Sequence, residues 1–169
     1  MASNAYTPAQ RDIITGERKQ FNRELRKMGK DMAMGEWAAV AKVWDLVDPD
    51  DPARDRASAG EYDGVISFQR LKNGNLKATL EYQRGSNEEI QHRTEYLLAL
   101  NPYTATFQGV GVTPGSWEEG ASATGSYNRR DGVISFTQYG PTSGEIEGMS
   151  MIATWGFVNV GSAPLNPVA

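Results

Sequence analysis

The sequence predicts an α+β chain, mainly antiparallel β: an N-terminal helix or helix pair, then roughly seven strands forming a closed or nearly closed antiparallel β-barrel. Three observations predict it. Apolar residues between about Thr7 and Val47 recur at helical spacing. From about Gly60 the pattern changes once, to alternation with period two punctuated by Gly, Asn and Asp. Glycines then sit inside the strand patterns at Gly109, Gly111, Gly125 and Gly156, where sharply curved sheets bend.

Thr7-Pro8 starts the helix, with Thr as N-cap and Pro at the first helical position. Ile14, Phe21, Leu25, Met28 and Met32 draw one apolar stripe, and Arg18, Lys19, Arg23, Arg26, Lys27 and Lys30 occupy the other faces. Gly29 and Gly35 weaken continuity. Trp37, Val40, Trp44 and Val47, spaced three, four and three, predict a second helix or the far arm of a kinked one. The basic helix is followed by an acidic stretch with Asp45, Asp48, Asp50, Asp51 and Asp55, in which Pro49 and Pro52 mark a helix-ending linker.

Strands are expected near 64–71, 76–83, 89–100, 104–112, 121–128, 132–139 and 147–159, joined by short turns. The clearest alternates Leu76, Ala78, Leu80 and Tyr82 with Lys77, Thr79, Glu81 and Gln83, after the hairpin signal Asn73-Gly74. The third strand places Ile90, His92, Thr94, Tyr96, Leu98 and Leu100 on one face, and the seventh places Met149, Met151, Ala153, Trp155 and Phe157 together. The hexapeptide Asp63–Phe68 recurs identically as Asp131–Phe136, which suggests two equivalent hairpins. The division expected is a helical arm and acidic linker over 1–59, a barrel over 60–160 and an extended Pro-containing tail over 161–169, all within one folded domain.

With 169 residues the chain is long enough for one core without staples. The absence of Cys removes disulfides, thiolate catalysis and cysteine metal sites, and a single histidine, His92, removes two-histidine metal sites. A net charge of −4 gives no global attraction to nucleic acid or anionic membrane. Nowhere do 18 apolar residues run together, so no membrane span is expected, and the first residues lack the pattern of a secretory signal. A soluble protein is expected, cytoplasmic or in a processed mature form.

Signatures of chemistry are sparse. Gly109-Val110-Gly111-Val112 runs into a Thr-Pro-Gly turn rather than a helix, so it is strand and not a phosphate loop. Gly140–Gly144 reads as a turn and lacks the strand-to-helix setting of a nucleophile elbow. Asp48, Asp50 and Asp51 lack the Gly and distal Glu of a calcium loop. Glu81, Glu95, Glu118, Glu119, Glu145 and Glu147 alternate with apolar residues and are expected to face water. No catalytic residue, metal site or cofactor is assigned.

In its Gly-x-aromatic strand openings and serial hairpins the chain resembles the calycin group: lipocalins, fatty-acid-binding proteins and avidin-like barrels. The residues are Gly60-Glu61-Tyr62 leading into Gly74–Glu81, and Ala123–Tyr127 leading toward Ala153–Phe157, so the likeness covers about residues 60–159. The lipocalin Gly-x-Trp signature is missing from the first strand, and the helical arm is not a feature of the group. The resemblance implies a small-molecule cavity inside the barrel.

The expected function is therefore binding of a small apolar or amphipathic molecule in the barrel, with His92, Thr94, Tyr96, Tyr82, Phe136, Met151 and Trp155 as lining candidates. Two alternatives stay open. A structural or assembly subunit would dock on a protein partner through Phe21, Leu25, Met28 and Met32. A small-barrel enzyme of the cyclase or isomerase type would use cavity shape and one acid or base.

Overall fold

The computed structural model describes residues 6–47, 62–84, 91–113, 121–141 and 150–161. A single helix, α1 (Pro8–Met32), precedes eight antiparallel strands: β1 (Glu36–Val47), β2 (Tyr62–Arg70), β3 (Leu76–Arg84), β4 (Gln91–Asn101), β5 (Thr106–Gly111), β6 (Ser122–Asn128), β7 (Val133–Pro141) and β8 (Ser150–Gly161). Each pairs with the next, and β8 pairs with β1, so the sheet closes into a barrel.

Seven strands fall where alternation predicts them. The eighth, β1, occupies the stretch whose spacing suggested a second helix. Its apolar stripe fits both periods, but the residues themselves, Trp37, Val40, Val43, Trp44 and Val47, are aromatic and β-branched, types that lose side-chain freedom in a helix and pack well on a pleated surface. Gly35, at φ +74°, turns the chain between the two elements and lies against the backbone of Gly161. The acidic linker beyond Val47 and the tail beyond Gly161 lie outside the described residues.

Helix α1 opens with a reciprocal cap: the Thr7 hydroxyl accepts from the Gln10 amide at 3.1 Å, and the Gln10 side chain accepts from the Thr7 amide at 2.8 Å. Its 25 residues span about 37 Å at the usual rise, yet only the second half meets the barrel. Residues 8–20 are exposed, Phe21 and Leu25 are half-buried, and Met28, Gly29 and Met32 are buried. The helix closes one barrel end. Leu25 packs on the β2–β3 turn, where a side chain at Gly74 (φ +87°) would meet Leu25 Cδ2 at 2.5 Å. Gly29 passes Leu76 and Leu100 at van der Waals distance. The Trp37 indole donates to the Met32 carbonyl at 2.9 Å, satisfying an orphan carbonyl of the last turn from inside the barrel. An Arg129–Asp31 ion pair ties the helix to the β6–β7 turn. Asp31 and a hydrogen bond to Tyr127 outweigh the slight desolvation of Arg129 and hold its guanidinium above the ordinary value.

The repeated hexapeptide is used in two ways. Ile66 and Phe68 on β2 and Ile134 and Phe136 on β7 all face the core, but the strands run in opposite directions and are separated by β1 and β8. The copies are not equivalent hairpins. Gly132 turns the chain at φ +66°, whereas Gly64 lies inside β2, where an added Cβ would sit 2.7 Å from Trp155 Cζ3. At Gly109 and Gly125 any side chain would overlap the carbonyl of the neighbouring strand, at Leu97 and Ser135 respectively. These glycines permit the curvature expected of them.

Candidate functional site: the inner wall away from the helix

An eight-stranded barrel is about wide enough inside for side chains to meet across it, and the two halves of this interior differ. Near α1 it is apolar: Met28, Met32, Trp37, Phe68, Leu76, Leu98, Leu100, Phe107 and Phe157 belong to one core cluster, which continues into the other half through Tyr82, Tyr96, Phe136 and Trp155. Away from α1, the inward positions of β5, β6 and β8 are small, at Gly109, Gly111, Ala123 and Ala153, with the buried Ala121 just before β6. Facing them are large or polar groups: Tyr82, Thr94, Tyr96, Gln138, Trp155 and Lys42.

Gln138 organises the group. The Trp155 indole nitrogen, which can only donate, gives its proton to Gln138 Oε1 at 2.7 Å. That fixes the amide orientation, so Gln138 Nε2 donates to the Tyr96 hydroxyl at 2.6 Å. Both bonds are buried. Ring contacts complete the wall: Tyr96 meets Phe136 edge-on at 5.3 Å, Tyr82 tilts against Trp155 at 5.7 Å, and Trp155 stacks on Phe157 at 5.6 Å. Thr94 is 1% exposed, and its hydroxyl has no hydrogen-bond partner among the described residues. Leaving a buried hydroxyl unpaired costs about 1–3 kcal/mol, so this position is one that a bound polar group would improve.

Lys42 reaches the interior through an irregularity. Along β1, Trp37 and Ala39 face inward; strict alternation would continue with Ala41 and Val43 and turn Lys42 out. The register against β8 slips between Ala39 and Ala41, leaving Val40 exposed as an extra residue. Past this bulge the parity is reversed. The Lys42 ammonium lies over the Trp155 ring at 4.2 Å and the Tyr82 ring at 5.0 Å, and Lys42 makes further contacts beyond these. The bulge also weakens one seam: among the described residues β1 pairs with β2 only at Trp37↔Ile66 and Ala38↔Val65, against eleven register pairs with β8. Gly64, facing this seam from β2, gives the Trp155 ring its space.

Of the lining candidates, Thr94, Tyr96, Tyr82, Phe136 and Trp155 are all buried on the inner wall, and four of them touch one another directly or through Gln138. His92 and Met151 sit on β4 and β8, opposite Tyr82 and Leu46 respectively; their side chains lie outside the described residues. Sequence reasoning missed Gln138 and Lys42. Gln138 was visible as the third inward position after Ile134 and Phe136, whereas nothing in the sequence marks the bulge that admits Lys42.

The four proposed docking residues go to the chain's own barrel: Met28 and Met32 are core, Leu25 packs against it, and Phe21 meets Tyr103 edge-on at 5.8 Å. Glu81 is exposed, and Glu95 lies on the outer wall between Lys77 and Arg93, at 3.4 and 3.1 Å. Glu118, Glu119, Glu145 and Glu147 lie outside the described residues. Among the described residues no three His, Asp or Glu side chains gather as a metal site, and no helix is long and apolar enough to cross a membrane. No protein-family model matches this chain, and no curated protein matches its sequence.

Proposed function

We propose that the protein binds a small amphipathic molecule inside the barrel half remote from α1. One observation carries this reading: that half buries Gln138, Thr94 and the polar ends of Tyr96 and Trp155 beside inward positions of Gly and Ala, and among the described residues leaves the Thr94 hydroxyl without a partner. A core selected only for stability would be apolar throughout, as it is near the helix, because each buried polar group must recover its desolvation cost. Aromatic walls with a few convergent polar groups are the usual make-up of a ligand site. The calycin-like architecture supports the same reading.

The test is a titration with the neutral dye N-phenyl-1-naphthylamine, alongside native mass spectrometry of the freshly purified protein. Saturable dye enhancement at one site, weakened by the Gln138→Leu and Thr94→Val changes, is expected. Absence of saturable binding together with a ligand-free mass would overturn the reading.

A second reading, docking on a protein partner, is favoured by the free half of α1. Residues 8–20 stand clear of the barrel, with Ile13 61% and Ile14 46% exposed. Removing residues 1–20 should abolish capture of such a partner without lowering the melting temperature of the barrel; a fall in melting temperature would make this segment structural instead.

A further inference from the structure

The outer wall of the barrel divides as its interior does. Outward positions of β2, β3 and β4 carry the mixed charges of a sheet that faces water, among them Glu81 and the group in which Glu95 bridges Lys77 and Arg93. Outward positions of β5, β6, β7 and β8 carry no charged residue among the described residues; they hold Ser, Thr, Asn, Gln, Val, Ile, Tyr and one Gly. A water-facing surface is usually about 25–35% charged, so a wall of four strands should hold several charges. The nearest in the chain, Arg129, Arg130 and Asp131, lie in the β6–β7 turn and off the wall. We propose that this wall is where two copies of the chain pair, face to face across a two-fold axis.

The register across the four strands lines Gln108, Thr124, Thr137 and Thr154 into one row, with the last two hydroxyls bonded at 3.2 Å. The next row carries Val110 and Tyr139, 55% and 40% exposed. In a two-fold contact the residues near the axis meet their own kind. A lysine or glutamate there would repel its copy, whereas a hydroxyl or carboxamide both donates and accepts and so can bond to its copy. That selects a second copy over other occupants. An interface with a different protein gains steering and specificity from opposite charges, which this wall lacks. A lipid surface would strip water from the hydroxyls and carboxamides and give them no partner in return. The size also fits. Four strands about 4.8 Å apart, fanned outward by the curvature of the barrel and roughly 20 Å long, present on the order of 600 Å², comparable with the roughly 800 Å² each partner gives a standard interface.

Sedimentation equilibrium of the full chain across the micromolar range tests this. The wild type is expected at twice the mass of one chain. Thr124→Arg puts like charges against each other across the axis and should weaken the pairing about a hundredfold or more. Thr124→Glu should do the same, and mixing the two variants should restore the dimer, because the charges then oppose. Thr79→Arg, on the outer wall of β3, should leave the dimer intact. Circular dichroism checks that each variant keeps the barrel; should Thr124→Arg unfold, Gln108→Arg in the same row takes its place. A wild type that stays monomeric throughout this range would overturn the proposal, as would a three-chain assembly, a dimer that survives Thr124→Arg, or one that Thr79→Arg breaks.

Discussion

Replacing Gln138 by leucine exposes the buried polar network to a quantitative test. Leucine has nearly the same volume, so the substitution opens little space and acts through hydrogen bonds. It leaves the Trp155 indole N–H without its acceptor at 2.7 Å and the Tyr96 hydroxyl without its donor at 2.6 Å. An orphaned buried donor or acceptor costs about 1–3 kcal/mol. Tyr96 and Trp155 both keep other contacts, and the sum expected is about 2–4 kcal/mol. For a chain of this size that lowers the melting temperature by roughly 5–15 °C. The assay is urea denaturation followed by tryptophan fluorescence, run as a cycle with Tyr96→Phe and the double variant. In the double variant the Tyr96 orphan no longer exists, so the loss should fall short of the sum by about 1 kcal/mol. A loss below about 1 kcal/mol for Gln138→Leu, or strict additivity, would refute the network.

Three further outcomes follow from the same packing. Gly64→Ala places a methyl 2.7 Å from a tryptophan that cannot retreat without breaking its bond to Gln138; a loss of about 1–3 kcal/mol is expected from denaturation curves, and an unchanged midpoint would mean the ring moves freely. Trp37→Phe removes the donor to the Met32 carbonyl and should cost about 2 kcal/mol, with hydrogen exchange in the second half of α1 accelerating before the barrel opens. Thr7→Ala breaks the helix cap at a site far from the barrel, so circular dichroism should lose helix signal while the barrel transition stays within about 0.5 kcal/mol of the wild type.

How much of this was legible in the sequence depends on which physical signal each element carries. The seven strands from β2 to β8 were readable because each has one wet face and one buried face, so period two is written into the residues; observed ends lie within three residues of those expected. The N-terminus of α1 was readable because a cap is local chemistry, carried by Thr7, Pro8 and Gln10 alone. The strand β1 was not. A stretch whose apolar residues are spaced three, four and three satisfies a helix, and only its tertiary partner β8, about 115 residues away in the chain, supplies the ladder that decides otherwise.

The candidate site divides along the same line. Thr94, Tyr96, Tyr82, Phe136 and Trp155 lie on strands whose alternation is unbroken, so their inward direction follows from counting by twos. Lys42 lies beyond a bulge, and one extra residue in a strand flips every side chain after it to the opposite face. The bulge is a property of the pairing between β1 and β8 and leaves no residue type of its own, since Ala39, Val40 and Ala41 contain neither glycine nor proline. A sequence reading therefore recovers the aromatic wall, which any core of this shape would need, and misses the cation that lies over it. The irregularity is informative for that reason: regular alternation would have kept Lys42 in water, whereas the bulge turns it onto the Trp155 and Tyr82 rings.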